Sequence, residues 1–314
     1  MNFNSGSAMN KPISIAIVGA GKIAGDQHVP AISQHPGFNL VASVDREPGK
    51  ADFQTLEALL DARPTQVDAV AISTPPQHRY AIAELAIKRG LHVLLEKPPA
   101  QTVGQVEKLK ELAAAHRVAL YAAWHSRHAP FVPRAREWLN ERQIKEGSIV
   151  WREDVNAFHP GQDWLRQREG LGVFDPGINA LSILTTICPQ PVTVESAVVR
   201  MPPGWESPKA ALLRLTTGGA PITAEFEFRE EGLPQWNIEL RSASGNVLVL
   251  SAGGHGIAID GVAQSTSKDS RVEYNGVYDQ FARLIEERRI DADASPLALV
   301  EDALRLAAAG PISR

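Results

Sequence analysis

At about 150 residues per domain, the chain's 314 residues suggest two domains. Hydrophobic residues at 44% and charged residues at 22% exclude a wholly disordered chain, and a net charge of −4 argues against nucleic-acid binding through a broad basic surface. The single cysteine, Cys188, allows neither an internal disulfide nor a cysteine-based metal site. The histidines form no His-Glu-x-x-His pattern, so no metal is expected.

Residues Met1 to Lys11 are polar and lack the apolar core of a signal peptide. The longest apolar stretches, such as Val118 to Trp124, fall far short of the roughly 20 residues that span a bilayer. The reading is a cytoplasmic protein with no membrane partner.

Ile13 to Val18 is short, β-branched and apolar, as in a strand buried on both faces of a parallel sheet. Gly19-Ala20-Gly21-Lys22-Ile23-Ala24 follows directly, and Asp26 to Gln34 reads as a helix. This strand–glycine turn–helix order is the context in which G-x-G-x-x-A binds a dinucleotide. Gly19 permits the tight turn, Gly21 lets a pyrophosphate approach the backbone, and Ala24 lets helix and strand pack closely. The helix N-terminus then offers N–H groups and a positive dipole end to the phosphates.

The strand Leu40 to Asp45 ends on an acid placed to accept from a ribose hydroxyl, which favours NAD. The neighbouring Arg46 could pair with a 2′-phosphate and keeps NADP open; a helix cap or surface role for Asp45 also remains open. Three units follow: strand Val67–Ser73 with helix Gln77–Lys88, strand Leu91–Leu95 with helix Val103–Ala115, and strand Val118–Ala123. Thr102 and Gln105 form a capping box for the second of these helices. Such alternation implies a doubly wound parallel sheet with ligands at the strands' carboxyl ends. The expected nucleotide-binding set is Gly19, Gly21, Lys22, Ile23, Asp45, Arg46, Thr74, His78 and Glu96.

Glu96-Lys97-Pro98 lies at such a strand exit. Pro98 restricts the backbone of Lys97 and so directs its amine. A lysine withdrawn from water loses its proton more readily, as a general base near neutral pH requires. The alternative is an ion pair with Glu96.

From Pro133–Asn140, read as a helix, the texture changes. Gly147–Ala157, Val192–Arg200, Ala210–Thr216, Ile222–Phe228, Trp236–Ser242 and Val247–Leu250 read as successive strands of a large, open, mostly antiparallel sheet. Helices Tyr278–Arg289 and Pro296–Ala309 close the chain, and their packing back on the first domain is an expectation. The domains expected are 1–124, nucleotide-binding, and 125–314, substrate-binding. In Ile149 to Val155, alternation puts Glu153 on the apolar face with Trp151, where an acid needs a partner. His159 shares that parity if the strand stays regular. Apolar walls with a few polar groups suit a sugar; a buried Glu–Arg pair with a loop histidine is the alternative. Asp175-Pro176 forms an N-cap and N1 pair, which explains Asp175 without chemistry. Asn179 lies one turn further on the same helix face, and the two could grip a hydroxyl.

The glycine turn, Glu96-Lys97-Pro98 and Asp175-x-x-x-Asn179 together resemble the glucose–fructose oxidoreductase/inositol dehydrogenase (Gfo/Idh/MocA) family over essentially the whole chain. The resemblance implies a Rossmann domain, an α/β domain with an open sheet, and NAD(P)-dependent oxidation of sugars or polyols. It implies Lys97, Asp175 and Asn179 as the catalytic set. The family motif usually ends in histidine; Asn179 cannot titrate, which leaves the proton to Lys97. An asparagine-bearing branch of the family oxidises C1 of aldoses such as D-galactose and L-arabinose. The similarity to that branch implies Glu153, His159, Trp124 and His125 as substrate-binding. It also implies a homo-oligomer. The alternatives are a non-catalytic sugar or nucleotide sensor on the same fold, or a dehydrogenase for another polyol.

Overall fold

The computed structural model describes residues 11–309 apart from 64, 268 and 270. The N-terminal segment read above for a signal peptide lies outside them up to residue 10. The chain divides into two compact units. The first takes the chain up to Glu96 with Leu109–Tyr121 and Tyr278–Asp291, and the second takes Lys97–Lys108, Ala122–Val277 and the chain from Ala292.

In the first unit, β1 (Ile13–Val18) is buried along all but its first residue, as its apolar run requires. It pairs in parallel with β2 (Phe38–Val44) and β3 (Ala69–Ile72), and β3 pairs in parallel with β4 (His92–Glu96). The six-stranded order is Ile290–Asp291, β5 (Leu120–Ala123), β4, β3, β1, β2. The C-terminal strand Ile290–Asp291, which the hydropathy pattern does not suggest, adds in parallel to β5.

The helix expected at Asp26–Gln34 is split. A π-helical turn, Ala24–His28, leads into α1 (Val29–Gln34). Pro30 has no N–H to close a regular α-turn, which suits the wider turn ahead of it. A short helix, α2 (Leu56–Ala62), was not anticipated; Thr55 Oγ1 caps it by accepting from Ala58 N at 3.1 Å. α3 (Pro76–Lys88) and α4 (Val103–His116) follow the expected course. At α4, Thr102 Oγ1 accepts from Gln105 N at 3.2 Å, while the Gln105 side chain reaches the Gln101 N–H at 3.0 Å rather than that of Thr102.

In the second unit, α5 (Val132–Asn140) precedes β6 (Ile144–Asp154). β6 ends three residues before the expected Ala157, because Asp154 caps a one-turn helix, α6 (Val155–Phe158), by accepting from Asn156 N and Ala157 N. After α7 (Phe174–Ile187) come β7 (Val192–Arg200), β8 (Ala210–Thr217), β9 (Ala220–Arg229), β10 (Gln235–Ser242), β11 (Val247–Ser251), β12 (Gly256–Ile259) and β13 (Val262–Thr266). The eight-stranded sheet runs β13, β12, β11, β10, β6, β9, β8, β7. Its pairings are antiparallel except β6 with β9.

Alternation along β8 and β9 buries Leu213, Leu215, Ala224, Phe226 and Phe228. The opposite face carries ion pairs, including Arg152 with Glu225 and Glu227. Helix α8 (Val272–Glu287) starts six residues before the expected Tyr278, and α9 (Ser295–Ala309) closes the described chain. The segment Arg168–Ile187 is long and apolar enough to cross a membrane, but 78% of its apolar window is buried within the fold.

Candidate active site

In the first unit, the exits of β1, β2 and β3 surround a cavity of about 620 Å³. Gly19, Gly21, Asp45, Arg46, Thr74 and His78 all line it. Gly19 has φ +100°, and a Cβ there would stand 2.8 Å from Thr74 N, so only glycine lets the turn lie against the end of β3. At Gly21 a Cβ would meet nothing within 4 Å, which leaves the backbone open to a ligand. Asp45 does two things. Its Oδ2 accepts from Ala20 N at 2.8 Å and its Oδ1 from Glu47 N at 3.1 Å, which ties the glycine turn to the end of β2 while the residue lines the cavity.

Thr74 Oγ1 and Gln77 Oε1 are buried at this cavity with no hydrogen-bond partner among the described residues. An open glycine backbone, a carboxylate at the second strand's exit and unbonded polar atoms fit a dinucleotide. The other three expected residues lie off the cavity lining. Lys22 pairs with Asp26 on the surface, and Ile23 is 37% exposed ahead of the π turn. Glu96 is buried and hydrogen-bonds His28 Nε2 at 3.0 Å. His28 Nδ1 in turn meets the Tyr278 hydroxyl at 2.7 Å. Burial and the Glu96 charge push that hydroxyl's pKa well above its ordinary value.

In the second unit, Lys97 Nζ donates to the Asp175 carbonyl oxygen at 2.9 Å and to Asp175 Oδ1 at 3.1 Å. Both side chains are mostly buried. Asp175 is not the cap that its following proline suggests. α7 begins at Phe174 with Val173 as N-cap, so Asp175 stands in the first turn with its carboxylate turned to Lys97. The early start comes from Leu171 and Gly172, which take consecutive left-handed conformations. A Cβ at Gly172 would sit 2.1 Å from the Pro208 carbonyl oxygen, the group that accepts from Val173 N and anchors the helix start. Asn179 is half-buried one turn along, and its side chain makes no bond to the described residues.

Glu153, 5% exposed, accepts from two sides. His159 Nε2 lies 2.5 Å from Oε1, and Trp236 Nε1 donates to Oε2 at 3.0 Å. The parity argument for His159 fails, because α6 interrupts the strand; the one-turn helix instead folds His159 back onto Glu153. Nor is the partner an arginine, since Arg152 turns to Glu225 on the other face. Gln162 Oε1 stands 3.3 Å from His159 Nδ1, so both ring nitrogens face acceptors. Burial works against charge on this ring, but the bond to Glu153 and the negative charges of Asp175 and Glu153 outweigh it, and the His159 pKa is raised. Phe158, Trp236, Trp151, Phe228 and Trp205 form an aromatic surround.

Trp124 and His125 do not join this cluster. Trp124 is 1% exposed and donates its indole N–H to the Asp293 carbonyl oxygen, leaving no ring surface for a ligand. His125 hydrogen-bonds Glu273 through Nδ1. Among the described residues, no group of three or more histidine, cysteine, aspartate or glutamate side chains is arranged to hold a metal ion. The sequence reading missed Trp236. Its available signal was a tryptophan at the start of β10 in alternation with Ile238 and Leu240, but its register opposite Trp151 follows only from the pairing of β10 with β6.

Residues 13–123 match the family model described as "Oxidoreductase family, NAD-binding Rossmann fold". The chain is 43% identical over 298 residues to a galactose 1-dehydrogenase from Pseudomonas fluorescens, covering 93% of this chain and 95% of that one. It is similar to the crystal structure of D-galactose-1-dehydrogenase from Rhizobium etli, with TM-score 0.87 and 44% identity over 95% of this chain and 96% of that one. An inositol dehydrogenase homologue from Azotobacter vinelandii, crystallised with NADH and myo-inositol, shares the fold with TM-score 0.81 at 18% identity, covering 96% of each chain.

Proposed function

The chain belongs to the Gfo/Idh/MocA family of NAD-binding oxidoreductases, and from that premise we propose that it is an aldose 1-dehydrogenase that oxidises the C1 hydroxyl of D-galactopyranose to the lactone. The observation that carries the chemistry is the double contact of Lys97 with Asp175. Held against Asp175 by both contacts, Lys97 is the group positioned to take the C1 hydroxyl proton. Asp175 then steadies the ammonium that forms. Asn179, whose amide is uncommitted, holds a neighbouring hydroxyl and takes no part in proton transfer. Glu153 and His159 bind hydroxyls on the far side of the ring, within the aromatic surround.

The nucleotide would be held by Gly19, Gly21, Asp45, Arg46, Thr74 and His78 at the first unit's cavity. When bound, the nicotinamide supplies the hydride acceptor. The carboxylate at Asp45 favours NAD, and the adjacent Arg46 leaves NADP usable. Residues 1–124 act as the nucleotide domain and 125–314 as the substrate domain. L-Arabinose differs from D-galactose at the C5 substituent, and one such contact is worth only about 1–3 kcal/mol, so it is a second substrate.

This reading places the enzyme in the cytoplasm as a homo-oligomer. Val198 and Leu212, opposite each other on β7 and β8 and 59% and 52% exposed, support an association surface there. The deciding assay follows the absorbance of reduced nicotinamide with NAD or NADP and a panel of aldoses. D-Galactose turnover is expected, and no reduction with any aldose at neutral or mildly alkaline pH overturns the reading.

A further inference from the structure

Directly after α6, the segment His159-Pro160-Gly161-Gln162 folds back on itself. Gln162 N donates to the His159 carbonyl oxygen at 3.2 Å. Pro160 supplies the fixed φ of the first central position, and Gly161, at φ +72°, takes the left-handed second one. That order is the order of a type II turn. It brings the side chains at its two ends together, with Gln162 Oε1 standing 3.3 Å from His159 Nδ1. Both ends of the turn are held. His159 N donates to the Val155 carbonyl oxygen at 3.0 Å, and the Gln162 carbonyl oxygen accepts from the N–H of the buried Leu165 at 3.0 Å. Gln162 itself is half-buried.

The Glu153 end of the sugar cluster is rich in acceptors and short of donors. A carboxylate can only accept. His159 Nε2 is engaged by Glu153 Oε1, His159 Nδ1 faces Gln162 Oε1, and the Trp236 N–H is committed to Glu153 Oε2. The raised pKa of His159 agrees with a ring that donates from both nitrogens. Glu153, His159 and Trp236 thus leave a ligand the remaining lone pairs of the carboxylate and no N–H. A pyranose hydroxyl has one proton to give and lone pairs to fill, so acceptors alone meet half of its capacity. Gln162 supplies the other half. With its oxygen on Nδ1, its Nε2 carries two N–H groups that have no partner among the described residues.

We propose that Gln162 is a sugar-binding residue: anchored through Oε1 on His159, it donates from Nε2 to the oxygen of a pyranose hydroxyl at the Glu153 end of the ring. The proposal rests on the reading of the chain as an aldose dehydrogenase. It differs from a supporting role, in which Gln162 serves only as an acceptor that steadies the His159 ring.

The test is steady-state kinetics of the full-length enzyme on D-galactose and on its 2-, 3-, 4- and 6-deoxy derivatives, for the wild type, Gln162→Met and Gln162→Glu. Gln162→Met fills the space without either polar atom. Gln162→Glu keeps an acceptor for Nδ1 but has no N–H to give. In both variants the KM for D-galactose should rise about three- to tenfold with kcat within about twofold, as for one neutral hydrogen bond made alike in the ground and transition states. The ratio of the KM for one deoxy derivative to that for D-galactose should fall by the same factor, while the other three ratios hold. The position that responds identifies the hydroxyl. A wild-type KM for D-galactose in Gln162→Glu overturns the proposal, because only the acceptor is then in use. Unchanged ratios at all four positions in both variants also overturn it and reduce Gln162 to a support for His159. The two readings fail separately. If the wild type turns over none of the five sugars, the aldose reading falls and the proposal with it, whereas wild-type turnover with unchanged ratios removes Gln162 alone.

Discussion

The nucleotide cavity and the sugar cluster are built from different materials. The cavity is mostly backbone: a glycine turn pressed against the end of β3, with one carboxylate tying the turn to β2. The cluster is mostly side chain, drawn from Lys97, Glu153, His159, Asp175 and Trp236, each on its own segment. A backbone site tolerates little change in conformation and much change in side chain. A side-chain site has the opposite sensitivities. Substitutions in the two regions should therefore fail in different ways.

The largest expected effect is at Lys97. Lys97→Ala should lower kcat by about 10²–10⁴-fold, the usual range for loss of a general base, while NAD affinity measured by fluorescence titration stays within experimental error. Near wild-type turnover would remove Lys97 from its role and leave the cluster without a base. Next come the two glycines. Gly19→Ala must adopt φ +100° and press on Thr74, so it should cost about 1–3 kcal/mol of stability, read as a fall in melting temperature. Gly21→Ala meets no atom within 4 Å, so its melting temperature should hold while its NAD Kd rises, on the order of tenfold. Equal losses of stability in both variants would break the distinction between a structural and a ligand-facing glycine.

How far each region could be read from sequence follows from the same contrast. The glycine turn, the strand before it and Asp45 lie within one short run, and their backbone demands are local. The residues of the cluster could be nominated singly, but their contacts could not. Asp175 reads as a cap because aspartate before proline usually is one; the two left-handed residues ahead of it start the helix earlier and free the carboxylate for Lys97. Strand parity puts His159 on the face of Glu153 without pairing the two; a one-turn helix, not parity, folds the ring onto the carboxylate. Helix α2 does carry a local signal, Thr55 as cap with Leu56, Leu59 and Leu60 on one face. The pairing of Glu273 with His125 spans 148 positions and depends on where α8 begins, so no local pattern announces it.

Trp236→Phe should give a smaller, purely side-chain effect. It keeps the ring beside Phe158 and Trp151 but removes the N–H that satisfies Glu153 Oε2. One lost bond to a buried carboxylate is worth about 1–3 kcal/mol, and the retained bond to His159 argues for the low end. The sugar KM should rise several-fold with kcat little changed. An unchanged KM would show that the indole serves packing alone.

The smallest effect is a pH dependence confined to the cluster. The folded-state pKa of His159 is raised above the ordinary value near 6.5, chiefly because the bond to Glu153 and the neighbouring negative charges overcome burial. The protonated ring therefore contributes stability that is fully present below the unfolded pKa and is lost as pH rises through the folded one. The difference in melting temperature between the wild type and His159→Gln should be widest at mildly acidic pH and narrow above neutrality. A difference that stays constant or widens with pH would mean that His159 is held as a neutral ring. Glu153 would then be held by two neutral donors alone, the N–H groups of His159 and Trp236. Gly19→Ala, whose defect is steric and involves no titrating group, should lose the same amount of stability across that pH range, which makes it the control for the comparison.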